Sequence, residues 1–355
     1  MRSSTWLPPL VGLVLLAVAL ALGVGPIVAL LCLAALVGSV LAAVHHAEVV
    51  AHRVGEPLGT LVLALAVTAI ETALILSMML AGGEEMAVLA RDAIYAAVMI
   101  ICNGVVGLCI LVGGLAHREQ SFRVEGAGSG LAALIVMSTL TLAFPVYTTT
   151  TGSGTFSTSQ HAFVAVTSAV LWALFIFVQT KRHRDYFIPV ADEVNPETHA
   201  EPPSSRTAWT SFGWLLVSLV VVVGLAKVLS PSLEKALIAA NAPRSLVGIA
   251  ISLVVLLPET WAAVRAARAN RLQSSMNLAI GSALASIGLT IPLVVIASIA
   301  FGLPLVLGLD PKGLALLAVT FLVSAVTLGT GRTNMMQGAV HLVLFAAFLF
   351  LALVP

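Results

Sequence analysis

Runs of about 20 apolar residues follow one another along almost the whole of this 355-residue chain. An α-helix of about 20 apolar residues crosses the hydrocarbon core of a bilayer. Only 9% of the residues are charged, whereas soluble domains average about 25%. We therefore predict an all-α integral membrane protein with little mass outside the bilayer. The eleven runs lie near residues 6–24, 26–46, 57–81, 91–115, 130–149, 161–180, 208–229, 241–264, 276–300, 312–330 and 335–354.

The first run follows Arg2 and could be mistaken for a signal peptide. It is long and lacks a clear small-x-small cleavage site followed by polar chain, so we expect it to be retained as a leading helix. The Lys and Arg residues predict the orientation, because short cytoplasmic loops carry an excess of them. With the N-terminus in the cytoplasm, twelve of the 17 lie inside and five outside. The C-terminus is then predicted to lie outside.

Two of the runs carry a single glutamate near the middle, each followed by threonine. Glu71 lies in a run that opens at Gly59, and Glu259 lies in a run that opens at Gly248. A lone charged side chain at the centre of a bilayer costs about 3 kcal/mol on insertion scales. Such a residue is a functional-site candidate, and its presence in two matching contexts strengthens that interpretation.

The two glutamate-bearing spans lie five spans apart and therefore cross the membrane in opposite directions. This is the arrangement of inverted repeats, whose sites meet near the bilayer midplane. We predict a leading helix in residues 1–25, a first five-helix repeat in 26–180, a cytosolic connector in 181–207 and a second repeat in 208–355. The connector is polar and rich in proline, so we interpret it as a solvated linker; a cation-sensing role is the alternative.

Oxygen-bearing groups accompany both glutamates, as a hard cation requires. Thr68 lies one turn before Glu71 on the same helical face. Ser252 lies two turns before Glu259, again on its face. Pro258 removes a backbone hydrogen bond within the span and leaves a carbonyl free to face an ion.

The span that follows each glutamate also carries polar side chains. We predict that Asn103 and Ser282 are cation ligands or hydrogen-bond partners of a glutamate. Ser282, Ser286 and Thr290 recur every four residues and share one face. For Ser286 and Thr290, packing of small residues between helices is an equally good explanation.

The end of the second run places His45, Glu48 and His52 on one helical face, with Glu56 shortly after. This spacing could bind a metal or sense pH. The simpler interpretation is the cytosolic mouth of a helix, and we take these four residues as a candidate entrance for protons or cations.

The remaining carboxylates and the cysteines are not expected to take part in the site. Three carboxylates on the outside are expected to be solvated: Glu84, Glu85 and Asp92. The cysteines lie in apolar runs without metal-ligand spacing and are expected to be buried: Cys32, Cys102 and Cys109.

Several of these stretches resemble the bacterial ChaA-type calcium/proton antiporters of the cation/calcium exchanger superfamily. The first is Ala51-His52-Arg53-Val54-Gly55-Glu56-Pro57 running into Val67-Thr68-Ala69-Ile70-Glu71. The second is Leu257-Pro258-Glu259-Thr260 leading to Gly281-Ser282-Ala283-Leu284-Ala285-Ser286. The similarity covers residues 26 to 350 or so.

The resemblance implies eleven helices, inverted repeats and a multi-pass protein of the bacterial inner membrane. It also implies that Glu71 and Glu259 bind the transported cation and exchange with protons, with Thr68, Asn103 and Ser282 as helpers. Many members of the superfamily carry Gly-Asn-x-x-Glu at each glutamate. Here the residues are Thr68-Ala69-Ile70-Glu71 and Leu256-Leu257-Pro258-Glu259. The missing amide leaves the choice among calcium, sodium and potassium open.

We therefore predict a secondary antiporter without a cofactor, which exchanges a cation, first of all calcium, against protons by alternating access. Its partners are the inorganic cation and the lipid bilayer. A net charge of +1 offers no basic face for nucleic acid. An intramembrane enzyme is a different class of function, but it would need a nucleophile and base or a metal-ligand set at depth. A channel is a third class of function. Titratable sites in inverted repeats argue against it, because they indicate alternating access instead.

Overall fold

The structure is a computed structural model that describes residues 5–55, 58–82, 86–188, 203–239, 243 and 245–354. It is a bundle of long helices joined by short connections. The helices are α1 (Leu7–Leu22), α2 (Pro26–Val54), α3 (Leu58–Gly82), α4 (Leu89–Met99), α5 (Val106–His117), α6 (Val124–Ser138), α7 (Phe144–Tyr147), α8 (Thr158–Phe177), α9 (Ser205–Ala239), α10 (Ser245–Arg268), α11 (Leu272–Phe301), α12 (Pro311–Leu328) and α13 (Met335–Leu353).

Within the part of the chain that the structure describes, three spans contain π-helical segments. The fourth span runs through α4, a π-helical segment at Ile100–Val105 and α5 without interruption. The fifth joins α6 to α7 through Thr139–Ala143, and the sixth extends α8 through Val178–Arg182. Within the described residues, nine helices are long and apolar enough to cross a membrane, and two shorter apolar stretches lie at Leu7–Leu22 and Leu65–Ala81. The predicted all-α membrane fold of about eleven helices is confirmed.

Local sequence signals mark several helix ends. Asp310 caps the N-terminus of α12, where its carboxylate accepts a hydrogen bond from the backbone N–H of Gly313 at 2.8 Å. Ser157 and Gln160 form a capping box at the start of α8. The last residue of α11 is followed by Gly302 in the left-handed conformation (φ 64°), which glycine adopts without strain. These signals lie at the ends of the apolar runs and agree with their boundaries.

The connections alternate between two sides of the bundle. On one side, the backbone of Val306 bonds to Ala87, and Leu309 bonds to Leu142. On the other side, a two-stranded ribbon pairs β1 (Glu119–Ser121) with β2 (Arg332–Asn334). Because β1 follows the fourth span and β2 follows the tenth, both of these spans end on the same side.

The helices that carry the two glutamates run in opposite directions. Gly248, near the start of α10, lies against the start of α4, where an added Cβ would be 2.7 Å from the backbone nitrogen of Ala93. The helix α3 ends at this side, because only a short connection separates it from α4. The predicted inversion of the two spans is therefore confirmed.

Burial differs sharply along the chain. In the fourth span 78% of an 18-residue apolar window is buried, against 17% in the eleventh. The fourth span is thus the centre of the bundle, and the π-helical segment within it contacts α10, α11, α12 and α13. The outer helices turn apolar side chains toward the hydrocarbon that surrounds the protein.

The environments of Asp92 and of the three cysteines can be compared with those predicted from the sequence. Asp92 was predicted to be solvated, and this is wrong: it is 7% exposed and forms an ion pair with Arg91 at 2.8 Å. Burial makes that pairing necessary, since an isolated buried carboxylate is costly. Glu56, Glu84, Glu85 and residues 189–202 of the connector lie outside the described residues. The three cysteines are buried and unpaired, as predicted.

Candidate cation site

Glu71 lies near the middle of α3 with its side chain turned into the bundle. It is 2% exposed. Its Oε2 accepts a hydrogen bond from the hydroxyl of Ser286 at 2.7 Å. Its Oε1 is buried without a hydrogen-bond partner among the described groups. Oε1 is therefore a buried polar atom without a partner among the described groups, and burying such an atom costs free energy.

Glu259 lies on α10 directly after Pro258. It is 8% exposed, and its Oε2 accepts a hydrogen bond from the hydroxyl of Ser282. Proline at position 258 cannot donate a backbone hydrogen bond within the helix, so the turn before it has a carbonyl without its usual partner.

A single helix, α11, holds both carboxylates. Ser282 and Ser286 are four residues apart, which corresponds to a rise of about 6 Å along one helical face. One turn further on, the hydroxyl of Thr290 lies 3.1 Å from that of Thr72, the residue after Glu71. The two glutamates, 188 positions apart in sequence, therefore bind to adjacent turns of the same helix.

Neither carboxylate forms an ion pair with a basic side chain that the structure describes. Across the described ranges, the ion pairs within 4.0 Å are His45–Glu48 and Arg91–Asp92, and neither includes Glu71 or Glu259. A buried carboxylate without a counter-ion is unstable unless it takes up a proton or binds a cation. The chemistry of the site therefore favours exchange between these two kinds of occupant.

The predicted helpers occupy different positions. Ser282 bonds to Glu259, and Thr68 is buried one turn before Glu71. The hydroxyl of Ser252 donates to the backbone oxygen of Ala93 at 2.8 Å, so it ties α10 to α4. Ser286, which the sequence left open between packing and binding, is the partner of Glu71. Its spacing of four from Ser282 was the signal that pointed to it.

Asn103 is not brought to either glutamate. It lies in the π-helical segment and is fully buried. Its amide donates to the Thr320 hydroxyl at 2.8 Å, and its Oδ1 lies 3.3 Å from Nδ1 of His341. Among the described residues these contacts take the place of a hydrogen bond from Asn103 to a glutamate, and its role as a cation ligand stays a prediction. Helical periodicity could not reveal them, because it does not tell which neighbouring helix a face meets.

The candidate entrance is a surface feature in the structure. His45 and Glu48 are both about half exposed, with 4.0 Å between Nδ1 and Oε2, and His52 is exposed. Within the described part of the chain, no group of three or more His, Cys, Asp or Glu side chains could hold a metal ion. Because Glu56 lies outside the described residues, both the metal-binding alternative and the entrance role stay predictions.

Comparison with known proteins places this geometry in a family. The sequence profile described as "Sodium/calcium exchanger protein" matches residues 24–181 and 210–354. The chain belongs to this family. These two segments divide the exchanger at the connector, each contains one of the two glutamates, and the family is one of transporters and not of enzymes.

Relatives and solved structures agree with the assignment. The exchanger is 47% identical over 354 residues to y4hA of Sinorhizobium fredii, provisionally named an ionic transporter, covering 99% of this chain and 96% of that one. It is 35% identical to the sodium-potassium/proton antiporter ChaA of Escherichia coli, covering 91% and 89%. The native YfkE structure has a TM-score of 0.74 at 17% identity, covering 99% and 100%, and so shares the fold.

Proposed function

We propose that the exchanger moves calcium against protons by alternating access, with Glu71 and Glu259 as the shared binding groups. The observation that carries this proposal is the pair of buried carboxylates held on adjacent turns of α11 without a basic partner among the described residues. Serine hydroxyls supply further oxygen atoms, which suit a hard cation. Thr68 is the additional hydroxyl next to Glu71.

Charge counting favours a divalent cation. Two ionised glutamates carry −2, and either one calcium ion or two protons restore neutrality. A neutral site avoids the large cost of a net charge in a low-dielectric interior. The loaded and the protonated states can then both undergo the conformational change, whereas the empty ionised state is held back. Exchange, as opposed to leak, follows from that difference.

Sodium or potassium is the alternative substrate. The Escherichia coli relative is named a sodium-potassium/proton antiporter, and the relative from Aphanothece halophytica, 28% identical, is named a Ca(2+)/H(+) antiporter. A monovalent ion neutralises one carboxylate and leaves the other protonated. The same site would then exchange one proton for each cation.

The proposal includes the placement of the chain in the membrane. We infer a bacterial inner-membrane protein with the N-terminus in the cytoplasm and the C-terminus outside, because Lys and Arg then concentrate inside. The functional units are the leading helix 1–25, the repeats 26–180 and 208–355, and the connector 181–207. His45, Glu48, His52 and Glu56 then lie at the cytosolic mouth.

Proton flux in reconstituted vesicles tests the proposal. Purified protein is incorporated into vesicles with an acidic lumen and a pH-sensitive dye, and calcium, sodium or potassium chloride is added outside in turn. Calcium should collapse the proton gradient at the lowest concentration. A response to sodium or potassium alone would replace calcium by the monovalent alternative. A protein that responds to none of the three, although correctly folded, would contradict cation/proton exchange.

A further inference from the structure

A second buried polar cluster lies beside the site and has no part in the proposed mechanism. We call it the His341 cluster, and it joins three spans: Asn103 from the fourth, Thr320 and Thr327 from α12, and His341 from α13. All four residues are at most 3% exposed. Besides the contacts of Asn103 given above, Nε2 of His341 lies 3.1 Å from the Thr327 hydroxyl.

The hydrogen bonds of the cluster are mutually consistent. Oδ1 of Asn103 can only accept, so Nδ1 of His341 carries a hydrogen and donates to it. In the neutral ring Nε2 then accepts from Thr327. The amide nitrogen of Asn103 donates to Thr320, whose hydroxyl lies 3.5 Å from the Met99 sulfur. Both ends of the amide are thus directed toward α12 and α13.

The close approach of two helices leaves the imidazole little freedom. At Gly107, one turn after Asn103, an added Cβ would be 2.8 Å from Cβ of His341. The facing glycine, Gly338, lies one turn before His341, and its Cβ would be 2.8 Å from the backbone oxygen of Gly107. Because the backbones nearly touch, the imidazole has a defined position opposite Asn103.

Asn103 lies between the helices of the candidate cation site and the helices of the His341 cluster. The π-helical segment that carries it contacts α10 and α11, which hold the carboxylates and serines, as well as α12 and α13. π-Helical turns within α-helices frequently occur at functional sites. An amide oxygen is a good ligand for a hard cation. What decides the direction of this amide therefore bears on the number of oxygen ligands at the site.

We propose that His341 is a positioning residue: it holds the Asn103 amide toward α12 and α13 and so withholds its oxygen from the cation site. The inference rests on the proposed function, because it assumes that the cation binds at Glu71 and Glu259. With the amide withheld, hydroxyls and carboxylates form the side-chain ligand set. Releasing the amide should strengthen cation binding.

Two conservative substitutions separate positioning from packing. In His341→Asn the new amide nitrogen takes the place of Nδ1 and keeps the bond to Asn103. In His341→Gln the new amide oxygen takes the place of Nε2, accepts the hydrogen bond from Thr327 as that nitrogen does, and frees Asn103. We expect His341→Asn to keep the wild-type KM for the exchanged cation, measured with calcium, sodium and potassium chloride. His341→Gln should lower that KM about three- to tenfold, the range that one added polar contact supplies.

A double variant makes the test specific to the amide. Adding Asn103→Leu to His341→Gln should return KM to within about twofold of wild type, since non-additivity reveals residues that act together. An equal KM in His341→Asn and His341→Gln would overturn the inference, as would a lowered KM that survives removal of the amide. Failure of both single variants to fold would also overturn it, because the ring would then serve packing alone. If Glu71→Gln and Glu259→Gln still exchange cations, it is the proposed function that fails, whatever the His341 variants show.

Discussion

The fourth span and α11 are corresponding helices of the two proposed repeats, and they use their polar side chains in opposite ways. On α11, Ser282 and Ser286 donate to both carboxylates. In the fourth span, Asn103 turns to Thr320 and His341. The fourth span contains a π-helical segment at this point, whereas α11 is α-helical from Leu272 to Phe301. Symmetry of topology therefore does not impose symmetry of ligands.

The physical reason is that one helix can supply both donors. Successive turns of a helix present the same face at intervals of about 5.4 Å. With serine hydroxyls on two successive turns, α11 donates a hydrogen bond to one carboxylate from each half. The corresponding helix of the first half is then free to bind elsewhere, and its polar side chain joins the His341 cluster.

The largest effect should come from replacing the carboxylates, one of which is supplied by each half. Glu71→Gln and Glu259→Gln keep the shape of the side chain and remove the charge and the titratable proton. Losing one partner of a buried charge interaction costs about 3–5 kcal/mol, or a factor of about 100 or more in affinity. We expect each variant to fold and to lose cation-driven proton flux in vesicles. Glu125→Gln, an exposed position on α6, is the matched control. Retained flux in only one of the two variants would show that the halves are unequal at this level too.

A second prediction uses pH to determine whether one or both of the glutamates titrate. A protonated carboxylate cannot bind a cation, so apparent affinity must fall as pH falls. Displacement of two protons changes affinity by up to about 100-fold per pH unit, and displacement of one by about tenfold. We expect the steeper dependence for calcium, measured by binding to purified protein across pH. The shallower one would mean that a single repeat titrates, and a flat one would remove competition altogether.

The serine donors of α11 should show an intermediate effect. Ser282→Ala and Ser286→Ala each remove a hydrogen bond to a charged group, worth about 1.5–3 kcal/mol. We expect KM to rise at least about tenfold with little loss of folded protein. Ser218→Ala on α9, whose buried hydroxyl donates to the backbone oxygen of Trp214, is the control. Should Asn103→Ala raise KM as much as these variants do, the contrast between the two helices would be lost.

The smallest effect should come from the membrane potential. One calcium for two protons moves no net charge, whereas each uncompensated charge couples to the potential at about 2.3 kcal/mol per 100 mV. We expect calcium exchange to be nearly independent of a potential set with a potassium ionophore, once potassium itself is shown not to be exchanged. Strong acceleration would indicate another stoichiometry and therefore unequal use of the two carboxylates.

Hydrophobicity and charge in the sequence determined much of this molecule. Eleven apolar runs predicted the spans because a helix of that length and composition is stable in the bilayer. The count of spans between Glu71 and Glu259 predicted that their helices run in opposite directions. The cost of a carboxylate at membrane depth predicted both as site residues. These inferences need only the order of residues along the chain.

The partners of these residues were decided by tertiary structure. Periodicity shows which residues share a face, but not which helix that face meets. The bond between Ser286 and Glu71 joins residues 215 positions apart, and the contact of Asn103 with His341 spans 238. The burial of Asp92 likewise depends on Arg91, which also bonds to Gly308 from the connection before α12. Close packing of helices brings such groups together, because buried polar atoms must find partners wherever the bundle places them.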